Sequence, residues 1–249
     1  MPDVTTPDAF DPIFRQGVSI IGGHAVNLWA AYYAERGDKE LREFEPFTSK
    51  DGDIYLKDPD LAQAIAAAAG WRFVKNPEPR SAVVGMIVME KAGKVLEIHV
   101  MRVVNGLSDA DLAKTEELTL KDGTVYCVPA PATMLKSKLS NLDSINQKDG
   151  QRQDERHARI MIPCVRHYLA DTLEAVRMGT IPEREAVDRF MEAHRITTTA
   201  KAQQLDRAHN LKLVAAIPNR EVLGNLSELP RLCAFYEHQI QRIGPKLGI

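Results

Sequence analysis

The sequence of 249 residues has few cysteines and almost no net charge. Its three cysteines, Cys127, Cys164 and Cys233, are far apart and form no CxxC pair, which argues against a disulfide framework or a cysteine-rich zinc site. We therefore expect them to be core thiols. Lys and Arg number 32 against 34 Asp and Glu, for a formal net charge of -2, so no global field draws the protein to nucleic acid or to an anionic membrane. Any polyanion must bind a local patch.

Long apolar segments are missing as well. No apolar run approaches the ~18 residues of a membrane-spanning helix. The N-terminal MPDVTTPDAFDP lacks the basic start and the apolar stretch of a signal peptide. We therefore expect a cytoplasmic protein with no membrane partner. A hydrophobic content of 44% is enough for one sizeable core, with or without a smaller appended domain.

The predicted secondary structure changes character near residue 130. Before it, strands and helices alternate and are followed by several strands, two of which flank the Asp122-Gly123 turn. After it, the apolar spacing is helical. We predict an α+β fold, with a mixed β-sheet core flanked by helices in residues 1–130 and an all-helical C-terminal domain in residues 131–249.

Gly22 and Gly23 lie between the apolar run VSII and the helix-like run HAVNLWAAYY. A tight turn explains such a pair, because glycine adopts backbone conformations that other residues avoid. A phosphate site explains it too, because bare backbone lets a triphosphate come close while the next helix offers free N–H groups. The pair by itself leaves both interpretations open.

Asp51 and Asp53 begin the next predicted strand. Their two-residue offset places both carboxylates on one face of that strand. Such a pair suits Mg²⁺, which takes one or two protein carboxylates together with substrate phosphates. The alternative is an Asp-Gly turn that leads into a strand and has no chemical role.

Glu97 is an acid within the otherwise apolar strand KVLEIHV. Alternation places it with His99 on one face, while the apolar residues point to the other. A carboxylate in such a strand needs a partner or a solvated cleft. The alternative is an edge strand whose solvent face carries both residues. We assign His99 no metal role, because no second His or Cys lies at ligand spacing around it.

Together these features resemble the nucleotidyltransferase superfamily, whose core is similar to that of DNA polymerase β. Within it the sequence is most similar to the AbiEii-like bacterial nucleotidyltransferases, the enzyme halves of some abortive-infection and toxin-antitoxin systems. The matching segments are GGHA at 22–25, TSKDGDI at 48–54, and Glu97. CVPAPATMLKSKL and GQRQDERHA resemble a later family segment, in which a helix lysine precedes a basic-acidic cluster. The likeness covers about residues 15–165.

The resemblance implies an enzyme that transfers a nucleoside monophosphate from an NTP to a hydroxyl group and releases pyrophosphate. The acceptor is a tRNA or other RNA, a protein or a small molecule, and an antitoxin protein is an expected partner. Two Mg²⁺ ions are implied, held by Asp51, Asp53 and Glu97. Lys138 is implied to stabilise the departing phosphates. The residues implied to bind the nucleotide are Gly22, Gly23, Ser49, Lys50 and Asp154.

Three features depart from the family pattern. The gap from the glycines to Asp51 is longer, which a loop absorbs at little entropic cost. Gly52 separates the acids where an apolar residue is usual, and Glu97 stands where Asp is common. The extra methylene of Glu97 puts catalytic competence in question, rather than the fold.

Alternatives remain open at the sequence level. Ser49 and Lys50 can be polar loop residues, and Lys138 can be a solvated helix lysine. The basic excess in residues 136–166 can line an RNA groove or form an exposed helical face with pairs such as Glu155 with Arg159. The whole chain can also be a catalytically silent member of the fold, or a helical regulatory protein whose acids are structural.

Overall fold

One seven-stranded β-sheet organises the N-terminal part of the protein. The computed structural model describes residues 7–49, 51–91, 94–144, 153–219, 224 and 226–240. The strands of the sheet are β1 (Ser19–Ile21), β2 (Gly52–Tyr55), β3 (Arg72–Lys75), β4 (Val83–Lys91), β5 (Lys94–Met101), β6 (Thr115–Thr119) and β7 (Val125–Pro129). The predicted mixed sheet flanked by helices is confirmed.

The strand order is β3-β4-β5-β2-β1-β7-β6. β1 pairs antiparallel with β2 and parallel with β7, while β2 pairs parallel with β5. The acid-bearing strands β2 and β5 are therefore neighbours in the middle of the sheet. This position overturns the edge-strand alternative for Glu97, because β5 has a hydrogen-bonded strand on each side.

In the part of the chain that the structure describes, six helices are of ordinary length. They are α2 (Gly22–Glu35), α4 (Pro59–Ala68), α6 (Pro131–Ser144), α7 (Asp154–Arg177), α8 (Glu183–Thr198) and α9 (Ala200–His209). Four shorter ones are α1 (Asp11–Phe14), α3 (Lys39–Arg42), α5 (Asp109–Leu112) and α10 (Pro230–Phe235). α4 begins as predicted, because the Asp58 carboxylate accepts hydrogen bonds from the backbone N–H groups of Asp60 and Leu61.

Helix α2 is buried on nearly all sides. Its residues from Gly23 to Ala30 are all buried, as expected for a helix enclosed by other elements. Trp29 and Tyr33 are each 3% exposed, which confirms that they pack in the core. The Trp29 indole Nε1 donates a hydrogen bond of 2.9 Å to the Pro129 carbonyl oxygen and so ties α2 to the end of β7.

The charged segment after α2 is more ordered than its composition suggests. The segment is a largely exposed connection, as its charge indicates, but residues 39–42 form α3, and Leu41 is fully buried. The Asp38 carboxylate accepts a hydrogen bond from the Leu41 N–H and caps this short helix. One apolar residue is thus enough to anchor this otherwise exposed connection to the core.

The chain divides into two units, residues 1–160 and 161–249. In the second unit, Phe190 of α8 packs against Phe235 and Tyr236 with ring centroids about 6 Å apart. The Glu183 carboxylate accepts hydrogen bonds from the N–H groups of Arg231 and Leu232 at the start of α10. Whether residues 131–249 act as a separate all-helical domain stays a prediction.

The structure bears on two expectations from the sequence, one about membrane-spanning helices and one about the cysteines. Among the described residues, no helix carries an apolar stretch long enough to cross a membrane. All three cysteines are thiols without a disulfide bond. Cys164 is buried as expected, whereas Cys127 and Cys233 are only half-buried, so the core assignment is wrong for these two.

The Trp29 hydrogen bond makes a testable contribution to stability. We expect Trp29→Phe to lower the free energy of unfolding by about 2 kcal/mol, because it leaves the buried Pro129 carbonyl without its donor. Urea denaturation measures this loss. Tyr32→Phe, in the same helix but at a half-buried position, is the control and should change stability by less than about 0.5 kcal/mol. Equal effects of the two variants would contradict the assignment.

Candidate active site

The start of α2 lies directly against a carboxylate of β2. Ile21, the last residue of β1, pairs with Asp53. The chain then enters α2 through Gly22, whose φ of +70° is in the left-handed region that favours glycine. A Cβ on Gly22 would lie 2.8 Å from Asp53 Cγ, which no real side chain tolerates. Gly22 is therefore required both by its backbone conformation and by the approach of the Asp53 carboxylate.

Gly23 allows a second close approach. A Cβ there would lie 3.1 Å from Ser49 Cβ and 3.1 Å from His157 Cε1. The bare backbone of the glycine pair is thus where Asp53, Ser49 and His157 all meet the first turn of α2. Lys50, the other loop residue predicted for the site, lies outside the described residues.

The predicted acids share one face of the sheet. Asp53 is the register partner of His99 in the parallel pairing of β2 with β5, and Glu97 shares the face of His99 because it precedes it by two residues. Asp51 lies just before β2, which begins at Gly52, and its charge acts on His99. All four residues are half-buried. On the opposite face of β5, Ile98 and Val100 are fully buried. The alternation predicted for these strands is confirmed.

His99 is more closely involved with the acids than the sequence indicated. Its Nδ1 lies 3.5 Å from Asp53 Oδ1. Its contact with the Asp53 carboxylate raises the pKa of His99 against the lowering effect of burial, and the charges of Asp51 and Glu97 add to the rise. The sequence analysis gave His99 no metal role because no second His or Cys lies nearby. Its actual partner is the carboxylate of Asp53, on a strand that is far away in sequence.

The two residues of the later family segment contact each other. Lys138 Nζ lies 3.4 Å from Asp154 Oδ1, and Asn141 Nδ2 donates a 2.9 Å hydrogen bond to the same oxygen. Lys138 is 5% exposed and Asp154 is 3% exposed. The solvated-lysine alternative for Lys138 is therefore wrong. A buried ion pair of this kind is costly to break, because the remaining charge would have no counter-ion.

Two buried histidines, His24 and His157, lie near the charged residues of the site. The sequence analysis gave neither of them a role. Burial lowers the pKa of His24 to about 4, although the nearby Asp53 carboxylate opposes this shift. Burial also lowers the pKa of His157 well below its usual value, and the positive charge of Lys138 lowers it further. Both imidazoles are neutral at pH 7. One signal was available for His157, since it follows Asp154 by three residues and so shares its helix face.

The loop that leads to the site is held by α7. Arg156 donates hydrogen bonds to the backbone carbonyl oxygens of Phe44 and Pro46, the latter at 3.2 Å. The predicted Glu155–Arg159 pair on the same helix is present at 2.9 Å. The basic surface interpreted as an RNA groove stays a prediction, since part of it lies in residues 145–152, outside the described residues.

The donor set fits a hard divalent cation. Among the described residues, no three His, Cys, Asp or Glu side chains are grouped closely enough to hold a metal ion. This finding does not test Mg²⁺, which needs only one or two protein carboxylates when substrate phosphates supply other ligands. Asp51, Asp53 and Glu97 offer carboxylate oxygens on one half-exposed face, and their like charges make a cation there favourable.

The sequence was also compared with known proteins. No protein-family model matches it, and the search of curated proteins finds no match. The nucleotidyltransferase likeness therefore stays a prediction.

Gly22 provides a direct test of the close approach of Asp53. Gly22→Ala and Gly70→Ala both place alanine at a φ near +70°, but the space at Gly70 is open to beyond 4 Å. We expect each variant to lose about 1–2 kcal/mol of stability from its backbone conformation. Gly22→Ala should lose roughly 1–3 kcal/mol more from overpacking against Asp53. Urea denaturation of the two proteins measures the difference, and equal losses would contradict the contact.

The buried histidines predict loss of stability in acid. Below pH 6.5 the unfolded chain binds a proton at His24 that the folded protein does not take up until about pH 4. Stability therefore falls as the pH drops through this window, by about 1.4 kcal/mol per pH unit for such a residue. We expect His24→Gln to remove that part of the slope in urea titrations between pH 6.5 and 4.5. The exposed His238, replaced by Gln, is the control. An unchanged slope in His24→Gln would refute the assignment.

Proposed function

We propose that this protein is a metal-dependent nucleotidyltransferase, which transfers a nucleoside monophosphate from an NTP to a hydroxyl acceptor. One observation carries the proposal: the glycine start of α2 lies against the carboxylate of Asp53, on the strand next to the one that bears Glu97. An anion-binding helix start and a cation-binding acidic face thus adjoin each other. A nucleoside triphosphate with its divalent cation is a ligand that needs both.

Each side chain has a defined task in this proposal. The first turn of α2, at Gly22 and Gly23, binds phosphate oxygens through backbone N–H groups. Asp51, Asp53 and Glu97 hold the cation. When bound, Mg²⁺ neutralises phosphate charge and lowers the pKa of an acceptor hydroxyl.

The reaction is an in-line displacement at the α-phosphate. The acceptor oxygen forms a bond to the α-phosphorus, the bond to the oxygen that bridges the α- and β-phosphates breaks, and pyrophosphate leaves. The acceptor hydroxyl proton passes to solvent or to a nearby carboxylate. In this proposal Lys138 provides positive charge to the phosphates. Asp154 pairs with its ammonium group, and Asn141 donates a hydrogen bond to Asp154. The first acceptor class to test is RNA, with protein and small molecules next, and the AbiEii resemblance makes a toxin with an antitoxin partner part of the proposal.

A catalytically silent binder is the second candidate. It is favoured by Glu97, which stands where Asp is common in the family that the sequence resembles. In this case the same site binds a nucleotide without transferring it. Nucleotide binding with no transfer to any acceptor class distinguishes this candidate from the enzyme.

Label transfer tests the proposal. We expect one α-³²P-labelled NTP, supplied with Mg²⁺, to label either RNA, protein or a small-molecule fraction from cell extract. Asp51→Ala/Asp53→Ala should reduce labelling by at least about 10³-fold, because removing groups that stabilise transition-state charge has effects of this size. Gel electrophoresis and thin-layer chromatography of each fraction provide the measurement.

The control is Glu117→Ala, which removes an exposed strand carboxylate from β6, at the edge of the sheet. It should leave labelling unchanged. Labelling that persists in the double variant would show that the acids are structural. The absence of label in the natural protein, with each of the four nucleotides and all three fractions, would exclude the enzyme and leave the silent binder.

A further inference from the structure

His157 carries a polar atom that the described fold leaves unsatisfied. The side chain is buried, and its Nε2 is shielded from solvent with no hydrogen-bond partner among the described residues. Buried polar atoms in proteins are nearly always hydrogen-bonded, so an exception calls for an explanation. A bound ligand is one partner that would satisfy this atom.

The unsatisfied Nε2 of His157 lies close to the start of α2. Its bonded neighbour, Cε1, is 3.1 Å from the place where a Cβ on Gly23 would be. α2 is 14 residues long, and Ile21 at its N-cap has no side chain that can accept hydrogen bonds from the first turn. Because the Asp53 carboxylate already lies against Gly22, an external anion would bind the first turn on its Gly23 side.

A second buried side chain gives the same indication. Asn27 is fully buried, and neither its Oδ1 nor its Nδ2 has a hydrogen-bond partner among the described residues. Helical side chains lean towards the N-terminus of their helix, so the Asn27 amide leans towards the turn that contains Gly23. Asn27 therefore adds a second unsatisfied polar side chain one turn along the same helix.

The charges around His157 suit a phosphate group. Burial keeps the pKa of its imidazole low, so the ring is neutral at pH 7. In its Nε2–H tautomer it donates one hydrogen bond. Lys138, Asp154 and Arg156 all act electrostatically on His157. Lys138 is paired with Asp154, so Arg156 leaves a net positive charge around the ring.

We propose that His157 is a phosphate-binding residue, whose Nε2–H donates a hydrogen bond to an oxygen of a triphosphate bound at the start of α2. The identity of the ligand as an NTP rests on the proposed function, whereas the contact itself requires only a phosphate chain. Ser49 packs on the same turn and is half-exposed, so this side of the turn is the one nearest to solvent from which a phosphate would approach.

Binding of inorganic tripolyphosphate and of Mg²⁺-ATP by the full chain tests this contact. Titration calorimetry compares the natural protein with His157→Leu, which removes the donor, and with His157→Gln, whose amide restores it. We expect His157→Leu to weaken tripolyphosphate binding at least about tenfold and His157→Gln to stay within about threefold. His238→Leu, at an exposed position, is the control and should bind like the natural protein.

A stability measurement separates this role from a structural one. Thermal unfolding of unliganded His157→Leu should not start at a lower temperature, because the variant removes an unsatisfied buried group rather than a hydrogen bond. A large loss of stability with unchanged phosphate binding would overturn the proposal. Where His157→Leu does not fold, ¹⁵N NMR of the natural protein decides: the His157 Nε2 resonance must shift on addition of tripolyphosphate, and an unmoved resonance overturns the proposal.

The outcomes also separate this proposal from the proposed function. If tripolyphosphate binding depends on His157 but no nucleotide is transferred, the His157–phosphate contact is supported and the proposed enzymatic activity is excluded. If nucleotide is transferred but His157→Leu binds tripolyphosphate as tightly as the natural protein does, the enzymatic activity is supported and the His157–phosphate contact is excluded. A natural protein that binds neither tripolyphosphate nor Mg²⁺-ATP contradicts both.

Discussion

The approach of the Asp53 carboxylate to Gly22 is the contact on which the rest of the site depends. Because β1 runs directly into α2, the register that pairs Ile21 with Asp53 also brings an acid to the start of that helix. A carboxylate is favourable there, because the N-terminus of a helix carries partial positive charge. The parallel pairing of β2 with β5 then extends the acidic face to Glu97. A glycine at position 22 is what makes this arrangement sterically possible.

Two sets of charges surround this contact and are balanced in different ways. Lys138 and Asp154 are deeply buried and neutralise each other, so they contribute to the shape of the site at little net charge. Asp51, Asp53 and Glu97 are half-exposed and of like sign, with His99 among them. Like charges held on one strand face raise the free energy of the folded protein unless a cation joins them. This imbalance is the physical reason why we propose a cation at this face.

The local pattern of the sequence predicted much of this arrangement. The two-residue offset of Asp51 and Asp53 and the alternation around Glu97 were enough to assign faces, because side-chain direction in a strand depends only on residue spacing. The pairing of β2 with β5 was not predictable in the same way, since parallel strands about 40 residues apart leave no local signal of adjacency.

The burial of single polar residues was the other feature that could not be predicted from the sequence. A single lysine in a predicted helix is expected to be exposed to solvent. Only the tertiary structure shows that Lys138 is buried together with Asp154. The spacing of His157 from Asp154 links those two residues only, and no local pattern marks His24 and His157 as neighbours of Asp53 and Gly23. Leu41 was missed for the opposite reason, as one buried residue in a charged run.

The central claim is that the acidic face and the start of α2 bind one ligand together. A crystal structure of the protein with Mn²⁺ and an α,β-methylene NTP tests it most directly, because Mn²⁺ is located by its anomalous scattering. The account predicts Mn²⁺ bound by Asp51 and Asp53, with the phosphates on the backbone of Gly22 and Gly23. Mn²⁺ and nucleotide bound elsewhere, with this face unchanged, would contradict it.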